Sequence, residues 1–151
     1  MRRRQGWTLL ELLTVLVVVG VLCSLAILKY IDLTRTAVTS NIMGDFLAVR
    51  LAAYNYEADH RDQWPADAAT GVTPPELANY LPDGFSFQKQ VYQLDWENNG
   101  AHATPYQLAI SVITADPKLV DALVATLGTR APFYLAGNKL TYVLIDDSGN
   151  Y

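Results

Sequence analysis

Apolar and polar positions divide the chain into parts that obey different rules. Residues 7–28 are almost uniformly apolar, with one charged side chain, Glu11, among them. Such a segment has no polar side, so it is not the pattern of a surface helix half in water. Its 22 residues would span about 33 Å as a helix at ~1.5 Å per residue, against roughly 30 Å for a bilayer core. The segment can cross a membrane.

Beyond Lys29 the pattern becomes one-sided. Val38, Ile42, Phe46, Val49, Ala53 and Tyr56 recur at helical spacing and predict an amphipathic helix over residues 29–62. No proline precedes Pro65, so the spacing predicts one helix continuing from the apolar segment to about His60. Trp64-Pro65 disfavours its extension, and Gly44 within it costs only about 1 kcal/mol relative to alanine.

Residues 63–84 are rich in Pro, Ala, Asp and Gly and read as a connecting loop. Within it Thr73-Pro74-Pro75-Glu76 fits a capping box opening one or two turns through Tyr80, and Pro82-Asp83-Gly84 supplies the next turn. Residues 85–151 form a head region. There the mix of aromatic and polar residues from Phe85 to Trp96 predicts a strand, ended by Asn98-Asn99-Gly100. Tyr106, Leu108, Ile110 and Val112 alternate in a second strand. Asp116-Pro117 and the stripe Leu119, Val120, Leu123, Val124 and Leu127 predict a short helix over residues 116–127, stopped by Gly128. Phe133 to Leu135 and Leu140 to Ile145, joined by Ala136-Gly137-Asn138, predict a hairpin. The expected fold class is α+β: a long N-terminal helix whose outer half packs on a small antiparallel sheet.

Charge adds a direction. Arg2, Arg3 and Arg4 stand directly before the apolar run and no comparable basic cluster closely follows it, which places Met1 in the cytoplasm. The chain has 11 basic and 15 acidic residues; without the three leader arginines the balance is 8 against 15, or −7. That surface does not suit nucleic acid. Cys23, the one cysteine, lies in the apolar run, so the outer part has no disulfide and packing alone must hold it.

The start of the chain admits several readings. An ordinary cleaved secretory signal could end at Ser24-Leu25-Ala26, leaving Ile27 first, but an acid in its apolar region costs on the order of 3 kcal/mol. A lipoprotein site at Cys23 would want a small residue where Leu22 stands. An uncleaved signal anchor would place Glu11 at the cytoplasmic interface, where the acid gains it nothing.

Gly6-Trp7-Thr8-Leu9-Leu10-Glu11-Leu12-Leu13, taken as one unit, resembles the type IV pilin and pseudopilin family: a basic leader ending in glycine, an aromatic residue, Thr-Leu, glutamate, then a long aliphatic helix. The resemblance runs from Gly6 to about Tyr30. It implies a leader of residues 1–6, cleavage between Gly6 and Trp7 by a membrane-embedded prepilin peptidase, and methylation of the Trp7 amine. It also implies that Glu11 pairs with the amine of a neighbouring subunit and sets the filament register. Physically, glycine offers no side chain to obstruct a peptidase, and a cut before the apolar run leaves the helix attached. A buried carboxylate is tolerable beside a cation. Two departures stand out: Leu28 replaces a proline common in the family, and Trp7 replaces phenylalanine.

The implied protein is an inner-membrane precursor whose mature form lies in an extracellular or periplasmic filament. Its implied partners are itself and other pilin-like subunits, the peptidase, an assembly platform and an ATPase. One alternative is a pseudopilin of a type II secretion system; another is a membrane-anchored binding module that does not polymerise. The missing disulfide loop weakens the likeness to many pilus-forming members, and the missing calcium-loop pattern that to the major pseudopilin.

Nothing predicts an enzyme, a cofactor or a metal. His60 and His102 have no ligand spacing with each other or with Cys23. Asp146-Asp147-Ser148-Gly149-Asn150 lacks the full calcium pattern and reads as a polar chain end, and Glu57, Asp59 and Asp62 read as a solvated helix end. Tyr54, Tyr80, Trp96 and Tyr106 are candidates either for the core or for contact with other subunits.

Overall fold

The computed structural model describes residues 8–61, 63–101, 103–128 and 132–150. The elements are α1 (Leu9–Asp59), a single 3-10 turn (Pro75–Leu77), β1 (Tyr92–Asn98), β2 (Tyr106–Thr114), α2 (Pro117–Leu127), β3 (Phe133–Ala136) and β4 (Lys139–Asp146). The long helix and small antiparallel sheet make the fold α+β, consistent with a pilin-like architecture. The chain divides into two compact units, Met1–Ala37 and Val38–Tyr151.

The described part of the first unit is helix. Its described apolar side chains are exposed all round the axis, and among the described residues of the unit none forms a second layer over them. Thr14 donates its hydroxyl to the Leu10 carbonyl at 2.8 Å and Ser24 to that of Val21 at 2.7 Å, so these hydroxyls are satisfied inside the helix.

The second unit has an ordinary core. The strands lie in the order β1-β2-β4-β3, all antiparallel. Ile42, Phe46, Val49, Ala52 and Ala53 of α1 form one buried cluster with Leu94 and Trp96 of β1, Ile110 and Val112 of β2, Leu140 of β4, and Leu119, Leu123 and Leu127 of α2. Phe46 stacks on Tyr142 with ring centroids 5.7 Å apart. The predicted stripe is the buried stripe, because positions three and four apart share one helix face. α2 also starts as predicted, with the Asp116 side chain accepting from Lys118 N at 3.0 Å and Pro117 in the first turn.

Two local expectations are corrected. The first strand begins at Tyr92 rather than Phe85. Phe87 is fully buried, but it reaches the core from a turn: Lys89 N donates to the Tyr92 carbonyl at 3.1 Å, and Leu94 N to that of Phe87 at 2.9 Å. The expected capping box at Thr73 does not form either. Leu77 N donates to the Pro74 carbonyl, so Pro74, which has no side-chain acceptor, caps the turn, while Thr73 Oγ1 accepts from Phe87 N at 3.3 Å.

The connecting segment covers the outer edge of β1. Gly71 N donates to the Leu94 carbonyl at 2.8 Å, and the Trp96 indole and the Asn98 amide both donate to the Pro65 carbonyl. Edge strands left bare invite unwanted pairing, and this one is paired.

Candidate functional site

Three residues carry the functional reading of the sequence: Gly6, Trp7 and Glu11. Gly6 and Trp7 lie outside the described residues, as does His102. Glu11 sits in the first turn of α1.

Thr8 and Glu11 close the helix start reciprocally. Glu11 N donates to Thr8 Oγ1 at 3.2 Å, and Thr8 N and Thr8 Oγ1 donate to Glu11 Oε2 at 2.8 and 2.9 Å. This is a capping box, which satisfies donors that the first turn leaves without intrahelical partners. The carboxylate also lies at the positive end of the helix dipole. The premise that a simple anchor gains nothing from this acid therefore fails, since the acid orders the helix start of a single chain. Thr8-Leu9-Leu10-Glu11 matches the S/T-x-x-E pattern, so the signal was readable in the sequence and was missed.

Behind the cap runs the apolar helix. Its most apolar stretch of 18 residues has a mean hydropathy of 2.6 and none of it is buried. By length and composition it can cross a membrane. Cys23 lies exposed on it as a free thiol.

The head carries two polar constellations that the sequence did not announce. On α1, Asp45 accepts from the Tyr92 hydroxyl at 2.6 Å and lies 3.4 Å from Lys89 Nζ. Burial first, and then the hydrogen bond to Asp45, push the Tyr92 phenol well above its ordinary range. On the sheet, Lys139 Nζ lies 3.2 Å from Asp95 and 3.0 Å from Glu97. Glu97 also accepts from Ser111 and, at 2.6 Å, from Tyr106, while Ser111 and Thr141 share a hydrogen bond of 2.6 Å. Burial raises the Glu97 carboxyl, but the bonds from Ser111, Tyr106 and Lys139 outweigh it and hold the group below its ordinary value. Asp95, Ser111 and Thr141 are buried, and each finds its partner in this network.

The remaining candidates are placed as follows. Trp96 is fully buried, whereas Tyr54, Tyr80 and Tyr106 are partly exposed. Tyr80 donates to Asp59 at 2.9 Å, and the His60 ring stacks on Tyr56 at 3.9 Å. Asp146 accepts from Ser148 N at 2.9 Å and Asn150 N at 2.8 Å, so its oxygens close its own turn. Among the described residues no group of three His, Cys, Asp or Glu side chains is placed to hold a metal ion.

Residues 1–27 match the family model described as the prokaryotic N-terminal methylation motif. The chain therefore begins with a methylation motif of that class.

Its relatives include subunits of two kinds of system. The chain is 31% identical over 90 residues to the type II secretion system core protein G of Dickeya chrysanthemi, covering 56% of this chain and 59% of that protein. It is 28% identical over 110 residues to the Vibrio cholerae core protein G, covering 70% of this chain and 74% of that one. It is 40% identical over 50 residues to the type IV narrow pilus major component PilA5 of Thermus thermophilus, covering 33% of this chain and 43% of that one. The first of these matches thus spans less than two thirds of the relative's length. No solved structure gives a significant match.

Proposed function

We propose that this chain is a structural subunit of a type IV pilus-like filament. It is made as a membrane-held precursor with its N-terminus in the cytoplasm, cut between Gly6 and Trp7, methylated on the Trp7 amine, and polymerised through α1. The observation that carries this reading is the methylation motif at residues 1–27, whose helix includes an apolar stretch of 18 residues with none of it buried. A helix that leaves the bilayer needs another apolar environment, and a bundle of like helices supplies it. Glu11, now four residues from a cationic terminus, then acts twice: it caps its own helix and meets the amine of a neighbour. Other pilin-like subunits, a prepilin peptidase, an assembly platform and an ATPase are the partners this requires.

Between a pilus and the pseudopilus of a type II secretion system, the extent of the similarity favours the pseudopilus. A 110-residue match to core protein G must reach into the head, whereas the 50-residue match to the pilus component is no longer than α1, which has 51 residues. Removing the gene from its host and measuring exported protein and surface filaments separates the two.

The processing step is tested by mass spectrometry of protein from the native host. The expected N-terminus is Trp7, carrying a methyl group on its nitrogen. A chain beginning at Met1 or at Ile27 would overturn the reading.

A further inference from the structure

The two edges of the sheet are treated differently. The outer edge of β1 is filled by its own chain: Gly71 N donates to the Leu94 carbonyl at 2.8 Å and Ala68 N to that of Trp96 at 3.5 Å. β3 forms the other edge, and no described residue bonds the backbone on its far side. The phase of β3 is fixed at both ends. Ala136 and Lys139 pair across the Gly137-Asn138 turn, and Val143 N donates to the Pro132 carbonyl at 3.1 Å. Hydrogen-bonded and non-hydrogen-bonded pairs alternate along an antiparallel ladder. Pro132, Tyr134 and Ala136 therefore turn their backbone groups to β4, and the N–H and C=O groups of Phe133 and Leu135 point outward.

The usual guards of a bare edge are missing from this strand. Charged side chains, prolines and bulges keep exposed edges from pairing. Here residues 132–138 carry no charge, Pro132 lies before the strand rather than in it, and β3 meets β4 without a register shift. Apolar surface is left out instead, since Tyr134 is 47% exposed and Leu135 52%. Tyr134 lies beside Tyr106 with ring centroids 5.8 Å apart, while Phe133 packs against the core.

We infer that this edge pairs with the same edge of a second copy, β3 against β3, antiparallel about a two-fold axis through Tyr134. The outward groups are self-complementary. A two-fold axis at Tyr134 sets Phe133 opposite Leu135 of the other copy, and each such pair exchanges both of its N–H···O bonds. A strand without charge also brings no like charges together when it meets itself. The partly buried Phe133 and the exposed Leu135 cover one another across the new pair, and the two Tyr134 rings meet on the other face. A second copy offers no alternative edge, because its own β1 is already occupied. Four residues bury far less than the roughly 800 Å² per partner of a stable interface, so the contact forms where copies are crowded. A two-fold contact closes on itself. It is not the repeat of a filament, and it stands independently of the filament reading.

The test uses the full chain in its native host, with Cys23→Ser so that any introduced cysteine stands alone. The proposed register puts the two Tyr134 Cα atoms about 4.5 Å apart, within the ~7 Å reach of a disulfide. The two Leu135 Cα atoms, offset by two residues, lie about 8 Å apart and out of reach. Intact cells are oxidised with copper phenanthroline and the chain is run on non-reducing gels. Tyr134→Cys is expected to give at least ten times more covalent dimer than Leu135→Cys. Adding Leu135→Pro to Tyr134→Cys removes an outward donor without removing a bond to β4, and is expected to cut that yield at least tenfold. No dimer from Tyr134→Cys, equal yields from the two positions, or a yield indifferent to the proline would overturn the inference and leave the filament reading intact. Absence of filaments from the wild-type chain would overturn the filament reading and leave this pairing standing.

Discussion

The two parts of α1 share one helical backbone and bury their side chains by opposite rules. Up to Ala37 the described apolar side chains are exposed in every direction, whereas from Val38 onward Ile42, Phe46, Val49 and Ala53 face a core and Ser40, Leu47 and Leu51 do not. The lesson is that helix length and hydrophobicity do not indicate what a helix is for; the angular distribution of its apolar residues does. A one-faced stripe is satisfied by its own chain. A uniform apolar surface has to be satisfied by lipid or by other chains.

The sharpest way to break this contrast is the same kind of truncation on each side of the boundary. Phe46→Ala empties a buried site that also stacks on Tyr142, and is expected to cost about 3–5 kcal/mol in chemical denaturation followed by tryptophan fluorescence. Leu16→Ala, at a side chain 63% exposed, is expected to leave the same transition unchanged. Equal losses would mean that the first part of α1 has a core of its own.

Next in size is the sheet network. Lys139→Met leaves Asp95 and Glu97 without their shared cation, and a loss of about 1–2 kcal/mol is expected, discounted because Lys139 is partly exposed. The same network fixes an acid limit. Glu97 is held below its ordinary value of 4.5, so the unfolded chain takes up its proton more readily. The stabilisation is present above that value and is lost as pH falls through the lower folded value. The melting temperature should therefore fall as pH drops below about 4.5, and Glu97→Gln should remove that part of the dependence.

The smallest effect is expected at Gly44. Gly44→Ala adds a methyl group where nothing stands within 4 Å, and the denaturation midpoint should rise by an amount equivalent to about 1 kcal/mol. A loss would show that the helix needs glycine there for its own fold.

Most of the fold was legible because long periodic segments state their partner face directly. α1 was expected to end near His60 and ends at Asp59, and α2 occupies Pro117–Leu127, where Asp116-Pro117 signalled its start. The segment before β1 was not legible. Phe85 and Phe87 alternate as a strand would, and the turn at Lys89-Gln90-Val91 contains no glycine, proline or asparagine to announce it. The polar networks were hidden for a different reason. Asp45 meets Tyr92 across 47 residues through the packing of α1 on the sheet, and Lys139 meets Asp95 across 44 through the strand register, so only the folded chain brings them together. The reverse holds at Thr8-Leu9-Leu10-Glu11, where the capping box is local and readable, yet the sequence reading takes Glu11 as an interfacial acid or a contact between chains and not as a cap.

Those two roles of Glu11 can be separated by one substitution. Glutamine keeps a side-chain acceptor at the third helical position, as capping boxes tolerate, but carries no charge to meet a neighbour's amine. Glu11→Gln, expressed as the sole form of the subunit in the native host, should be inserted and cut after Gly6 like the wild type, since the residues flanking the cut are unchanged. If α1 assembles with Glu11 paired to the terminus of the next copy, electron microscopy of sheared cells should show filament number falling at least tenfold. Filaments of normal number and length would contradict that pairing and leave Glu11 as the cap of its own helix.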